Sequence, residues 1–269
     1  MHIFFTDLDG TLLNRESLIS SETLEAIKAY MAAGNIFVIA SGRPLSSITN
    51  VMKLSGLPST NLKIISNNGS LIYDCDTQSP ILDLRMPKED AVHIIDVAEE
   101  MGIHAQTYNS NNVICRRHDA EIDFYTKYTR MTPAFNENLY ELMPEDPYKA
   151  LAISLDNRDE LVALQNALKD WMEGRYTSFF SSQWLVEFVD IRSGKGNAVR
   201  FLCDKYGVST EDAYAAGDAE NDLSMLEAVG NSVAMLNATD EVISVSRFIT
   251  EKDHDHNGLA DLLLKLAKS

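Results

Sequence analysis

Asp7-Leu8-Asp9-Gly10-Thr11 follows the first apolar run of the chain, His2 to Thr6. The run reads as a strand, and the five residues after it as the turn that ends it. Residues i and i+2 of an extended segment point the same way, so both carboxylates can reach one reaction centre. Gly10 lets the backbone turn sharply just beyond them. Two anions this close repel, and a divalent cation is the simplest way to keep both ionised. The pattern therefore points to a metal-assisted aspartate nucleophile, Asp7, with Asp9 as acid and base.

Outward from this stretch, the first 80 residues alternate strand and helix. Ser21–Ala33 has a helical pattern, with Ser21 as its cap and Gly34 at its end. Ile36–Ala40 is a continuous apolar run, as expected of a strand buried on both faces. Pro44 opens a second helix over Leu45–Leu54. Ile64–Ser66 is a third strand, running into Asn67-Asn68-Gly69-Ser70 and a hairpin of Leu71–Tyr73 with Ile81–Leu84. This rhythm implies a parallel sheet with helices on its faces.

The middle of the chain changes character. Helices are expected at Lys88–Met101, Glu121–Thr129 and Arg158–Met172. Between them come strands at His104–Tyr108, Val113–Arg117, Ala150–Leu155, Tyr176–Ser181 and Leu185–Val189. After residue 190 the α/β alternation returns. The expected architecture is α/β: a Rossmann-like parallel-sheet core formed by residues 1–83 and 187–269, with an α+β domain inserted over 84–186.

Composition narrows the function. The chain has 269 residues, 45% of them hydrophobic, and a formal net charge of −17. No cluster of basic residues exceeds Arg116-Arg117, which argues against a nucleic-acid partner. The three cysteines, Cys75, Cys115 and Cys203, form no metal spacing, and buried thiols in a reducing compartment account for them. A strand starts within two residues of Met1 and no apolar run reaches the length of a membrane span, so no membrane association and a cytoplasmic location are expected.

Four polar clusters fall where core strands should end, the edge at which open α/β sheets bind ligands. They are Asp7/Asp9, Ser41-Gly42-Arg43, Ser193-Gly194-Lys195-Gly196 and Gly217-Asp218-Ala219-Glu220-Asn221-Asp222. Phosphoryl transfer needs positioning and charge stabilisation, and each cluster has a place in it. Asp7 would attack phosphorus; Asp9 would protonate the leaving oxygen and then activate water. Ser41 and the Gly42 N–H, at a helix N-terminus, would bind phosphate oxygens. Lys195 would add a fixed positive charge. Asp218 and Asp222 would supply carboxylates for Mg²⁺, and Asn221 a hydrogen bond to phosphate or to metal-bound water.

Taken singly these signals have plainer accounts: acidic turns, a helix cap, a solvated lysine. Arg43 can steer phosphate or form a structural ion pair. Asn68 can face substrate or simply turn the chain. Arg116, Arg117 and His118 fit a solvated strand end, His254-Asp255-His256 an exposed turn, and Trp171 and Trp184 ordinary packing.

All four motifs, DLDGT, the Ser of ASGR, the Lys of SGKG and GDAEND, occur in this order, and the chain resembles the haloacid dehalogenase-like hydrolases. The insert between the Ser and Lys motifs is similar to the C2 cap of the Cof-type phosphatases. The resemblance implies a Mg²⁺-dependent phosphatase acting on small phosphorylated metabolites, such as sugar phosphates or pyridoxal phosphate, beneath a closing cap. It implies Mg²⁺ bound by the Asp7 and Asp218 side chains and the Asp9 carbonyl, with Asp222 behind them or bridged by water. A phosphomutase, or a non-catalytic sensor of phosphorylated metabolites, would use the same core.

Overall fold

The computed structural model describes residues 1–129 and 131–268. These residues divide into two compact units, residues 1–83 with 193–269 and residues 84–192.

The first unit is built on one eight-stranded sheet. In chain order its strands are β1 (Ile3–Thr6), β2 (Ile36–Ala40), β3 (Leu62–Ser66), β4 (Leu71–Asp74) and β5 (Ser79–Asp83). After the insertion come β12 (Tyr214–Gly217), β13 (Asn231–Ala234) and β14 (Phe248–Ile249). Their spatial order is β14-β13-β12-β1-β2-β3-β4-β5. From β14 to β3 all neighbours are parallel, while β4 and β5 continue the sheet as antiparallel strands. The hairpin after β3 thus extends the core sheet and makes it mixed.

Every residue of β1, β2 and β3 is buried, because helices cover both faces. α1 (Ser21–Ala32), α2 (Leu45–Ser55) and α9 (Ala260–Leu266) bury Tyr30, Ile48 and Leu263 against Phe4, Phe37 and Ile64. α6 (Lys195–Tyr206), α7 (Leu223–Leu226) and α8 (Asp240–Val245) bury Val199, Met225 and Val242 against Phe5, Val38 and Ile65. The cap of α1 is Ser20, one residue before the expected Ser21; its hydroxyl accepts from the Thr23 N–H at 3.2 Å. The sheet grows outward from β1 in both directions. The chain crosses from one half to the other between β1 and β12, the switch point at which such sheets leave a crevice.

The second unit holds a six-stranded sheet in the order β10-β11-β9-β6-β7-β8. Its strands are β6 (His104–Tyr108), β7 (Asn112–Cys115), β8 (Thr132–Phe135), β9 (Lys149–Ile153), β10 (Tyr176–Ser182) and β11 (Leu185–Asp190). α3 (Lys88–Glu100) and α5 (Arg158–Met172) pack on one face through Ile94, Ile95, Leu161 and Leu164. α4 (Ala120–Thr129) lies on the other, with Ile122 and Tyr125 against Val113, Leu151 and Ile153.

Two features differ from the sequence expectation. β11 pairs with β9 and β10 through Val189 and Asp190, so this unit runs to Arg192 instead of ending at 186. β8 was not expected. It pairs with β7 alone, and an edge strand tolerates Pro133, which cannot donate to a ladder.

Arg116 pairs with Asp96 and Glu99 in a structural ion cluster, and His118 pairs with Asp123. Trp171 stacks on Tyr176, and Trp184 meets the edge of Phe124. Cys75, Cys115 and Cys203 are all buried free thiols. Among the described residues, no helix is long and apolar enough to cross a membrane.

Candidate active site

Asp7 is the first residue beyond β1. Its N–H still donates to the Ala216 carbonyl of β12 at 2.9 Å, which fixes the backbone at the switch point. Asp218 follows β12 directly, and Lys195 is the first residue of α6. These elements bring three of the four motifs to one point. The Lys195 ammonium donates to Asp7 Oδ1 at 2.5 Å and to Asp222 Oδ1 at 2.7 Å. Asp222 is fully buried, and its other oxygen accepts from the Asp218 and Ala219 N–H groups at 3.0 and 3.3 Å. It therefore positions both the lysine and the loop that carries Asp218. Thr11, which the sequence pattern did not single out, donates its hydroxyl to Asp218 Oδ1 at 2.8 Å.

Asp7, Asp218 and Asp222 each place a carboxylate oxygen within 4.8 Å of the others. Two buried carboxylates, Asp7 and Asp222, and a half-buried third, Asp218, thus face one ammonium. Burial, then Asp222, push the Asp7 carboxyl well above its usual range, against the pull of Lys195. Burial likewise raises Asp218 to about 6; the Thr11 hydroxyl pulls it down, Asp222 pushes it up, and Lys195 and His254 lower it more weakly. Burial disfavours the charge on Lys195, but Asp222 and Asp7 outweigh it and hold the ammonium above its ordinary value. A carboxylate can act as a nucleophile only when ionised. The oxygen-only donors and the excess of negative charge fit a hard divalent cation.

The Asp9 side chain stands outside this cluster. More than half exposed, it is held by Arg43 in a two-pronged ion pair, with Nε donating at 2.8 Å and a second bond from Nη2. Ser41 is buried at the end of β2, and its hydroxyl accepts from the Arg43 N–H at 3.1 Å. α2 starts only at Leu45, behind Pro44, so Ser41 and Gly42 sit in the approach to the helix and not in its first turn. Asn68 is buried in the left-handed conformation, its N–H donating to the Ser41 carbonyl at 3.1 Å and its side chain pressed on Gly42. Asn221 is half-buried in the loop after Asp218.

Close packing fixes these loops to one another. A Cβ on Gly10 would lie 2.4 Å from Asp218 Oδ2, and one on Gly69 would lie 2.5 Å from the Gly194 carbonyl oxygen. Ser70 and Ser193 share a hydrogen bond of 3.0 Å, so the Asn67–Ser70 turn is fastened to the loop carrying Lys195. The His254-Asp255-His256 turn is exposed at His256, as expected, but not at its other two residues. His254 and Asp255 are largely buried, and Asp255 binds both the backbone and the side chain of Arg15.

Comparison with known proteins agrees with this geometry. The haloacid dehalogenase-like hydrolase family matches residues 4–263. The 5-amino-6-(5-phospho-D-ribitylamino)uracil phosphatase YwtE of Bacillus subtilis is 33% identical over 279 residues, with 94% of each chain covered. YitU, a phosphatase of the same name and organism, is 27% identical, covering 97% of this chain and 96% of its own. Among solved structures, TM0651 from Thermotoga maritima superposes with a TM-score of 0.81 at 31% identity, covering 98% of this chain and 97% of that one. A haloacid dehalogenase-like hydrolase from Bacteroides thetaiotaomicron has the same fold, with a TM-score of 0.85 at 24% identity and coverage of 98% and 99%. The chain belongs to the haloacid dehalogenase-like hydrolase family, in its Cof-type branch with an inserted cap. Within that family it is a phosphatase, a phosphoric monoester hydrolase.

Proposed function

We propose that this phosphatase hydrolyses small phosphorylated metabolites in two steps through an aspartyl phosphate on Asp7, and that it depends on Mg²⁺. The observation that carries the reading is the Asp7 carboxylate, held 2.5 Å from the Lys195 ammonium inside a cluster of three acidic side chains. Lys195 orients one Asp7 oxygen and leaves the other for attack on phosphorus. The P–O bond to the leaving group breaks as the Asp7–phosphorus bond forms, and Asp9 gives its proton to the departing alkoxide. Asp9 then takes a proton from water. That water attacks phosphorus, the bond to Asp7 breaks, and inorganic phosphate leaves. Ser41 offers its hydroxyl proton to a phosphate oxygen, since its lone pair is already engaged by the Arg43 N–H. Gly42, Asn68 and Asn221 complete the phosphate-binding side. Arg43 holds Asp9 as a carboxylate in the resting site; an incoming phosphate monoester competes for the guanidinium, and the freed carboxylate takes up the proton of the ester's monoanion, which is the proton it gives to the departing alkoxide. Asp7 and Asp218, with the Asp9 carbonyl, would hold Mg²⁺, and Asp222 would stand behind them. Bound there, Mg²⁺ keeps the carboxylates ionised and neutralises charge on the transferring phosphoryl group.

For the substrate we infer a phosphorylated sugar or sugar-like alcohol. The relatives support this, since two are named for a ribityl phosphate. The test is phosphate release from 5-amino-6-(5-phospho-D-ribitylamino)uracil, sugar phosphates, nucleotides and pyridoxal phosphate, with Mg²⁺ and with chelator. Mg²⁺-dependent release that ranks the ribityl or sugar phosphates first is the expected result. Release that survives the chelator, or none from any sugar phosphate, would overturn the reading.

A further inference from the structure

The turn that carries the acidic pair is held from two sides. On one side Gly10 packs on the Asp218 carboxylate, so closely that no side chain fits between them, and Thr11 donates to that carboxylate at 2.8 Å. On the other side stands Asn237, in the loop after β13. Its carboxamide nitrogen donates to the Gly10 carbonyl at 2.8 Å, and its carboxamide oxygen accepts from the His254 N–H at 3.1 Å. The same loop grips the Asp218 turn as well: the Thr239 N–H donates to the Asp218 carbonyl at 2.9 Å, and the Met235 N–H to Gly217 at 3.1 Å.

Gly10 has φ of +79°, a conformation in which the peptide can swing when nothing holds its carbonyl. Asn237 supplies that hold. Its other end is anchored on a backbone N–H whose loop is tied to Arg15 by Asp255 and to Ser20 and Glu22 by Asn257. One carboxamide therefore connects three chain segments behind the acidic cluster: the turn after β1, the loop after β13 and the turn before α9.

We propose that Asn237 is a positioning residue for the phosphatase site, holding the Gly10 peptide so that the Asp9–Thr11 turn stays seated on Asp218 and the divalent-cation site keeps its shape. The proposal rests on the function inferred above. Asn237 hydrogen-bonds none of the three cluster carboxylates, and it acts through the backbone of Gly10. Groups that orient the holders of a metal typically change affinity or activity by about 10–100-fold when removed.

The experiment compares Asn237→Ala and Asn237→Leu with the wild type and with Arg15→Ala, which cuts a neighbouring tie on the exposed surface without touching Gly10. Mg²⁺ affinity is measured by calorimetry without substrate, alongside kcat, KM and the melting temperature of the metal-free proteins. In both Asn237 variants, Mg²⁺ affinity and kcat are expected to fall roughly tenfold, with KM for the phosphate ester within about twofold of wild type, while Arg15→Ala binds Mg²⁺ as the wild type does. A merely structural role would lower the metal-free melting temperature and leave Mg²⁺ affinity and kcat unchanged, and that result would overturn the proposal. If the wild type itself neither binds Mg²⁺ nor releases phosphate, the inferred function fails and this inference with it. Wild-type behaviour in both Asn237 variants removes this inference alone.

Discussion

Lys195 and Lys149 are both buried lysines, one in each unit of the chain, and they keep different company. Lys149, on β9, donates to a single carboxylate, Glu187 of β11, at 2.9 Å, and its ammonium lies over the ring of Tyr108. Burial opposes its charge, but Glu187 and Tyr125 outweigh that and raise its pKa. One cation and one anion balance. Lys195 meets Asp7 and Asp222, with Asp218 close by, and the balance fails by about two negative charges. A balanced buried pair needs nothing further to exist, whereas an unbalanced one asks for a cation from outside. Excess alone does not mark chemistry, however. Lys63, equally buried, bridges Asp74 and Asp76, but Asp76 is 34% exposed and water carries the surplus charge. Surplus acid around a buried ammonium, with Asp7 and Asp222 themselves buried, at the carboxyl ends of parallel strands, is the distinguishing combination.

This contrast can be broken in four ways. Asp7→Asn removes the attacking oxygen but keeps the shape of the side chain. Phosphate release should fall by more than about a thousandfold, as when other nucleophiles are removed, with a melting temperature no lower than that of the wild type. Substantial residual turnover would remove Asp7 from its role.

Lys195→Met should be nearly as damaging to activity. It should also cost stability, about 3–5 kcal/mol when a buried charge loses its partner, measured by urea unfolding in chelator. Because added Mg²⁺ can replace the missing positive charge, part of that stability should return with the metal. No recovery would mean that the cluster does not attract the ion.

The balanced pair should behave differently. Lys149→Met alone takes the cation away from the buried Glu187 and should destabilise by a similar amount, but Lys149→Met with Glu187→Leu should lie within about 1 kcal/mol of wild type. Phosphatase kinetics of the folded double variant should be unchanged. Additive losses in that double variant would show that the pair does more than fill the sheet.

The smallest effect concerns the solvated cluster. Burial pushes the Asp74 carboxyl up, but hydrogen bonds from Lys63 and from the Asp76 N–H outweigh it and hold it below its ordinary value. The folded protein therefore binds this proton less readily than the unfolded chain. Its contribution is present above about pH 4 and is lost as the pH falls through the lowered folded value. Asp74→Asn should flatten the acid limb of the stability profile and leave the neutral region almost level with its own plateau. An unchanged acid limb would show that the pair contributes nothing to folding.

Much of this was legible in the chain. DLDGT, ASGR and GDAEND reported their own positions because each begins a polar turn after a buried strand, whereas SGKG opens α6 after the chain leaves β11 of the second unit. The continuous apolar run Ile36–Ala40 reported a two-sided strand because helices bury both of its faces. What escaped depends on partners distant in sequence. β8 carries a proline and no alternation, and it is a strand only because β7 offers an edge. The boundary at Arg192 depends on which sheet accepts β11, a pairing that local pattern does not encode. The turn of Asp9 toward Arg43 reflects a contest between a guanidinium and an acidic cluster, decided by geometry. Asn237 gave no sign at all, since an asparagine after a strand is commonplace, and the His254-Asp255-His256 run was visible but read only as an exposed turn.

The fastening of Ser70 to Ser193, with Gly69 pressed on the Gly194 peptide, has a mechanical consequence. Ser193 is where the chain re-enters the first unit, two residues before Lys195. A tug arriving along the backbone from Arg192 meets that anchor first, and the ammonium beyond it is shielded from the strain. A large insertion can therefore be spliced into the chain beside its most sensitive cation. A bulkier residue at Gly69 would loosen the anchor and let the disturbance through.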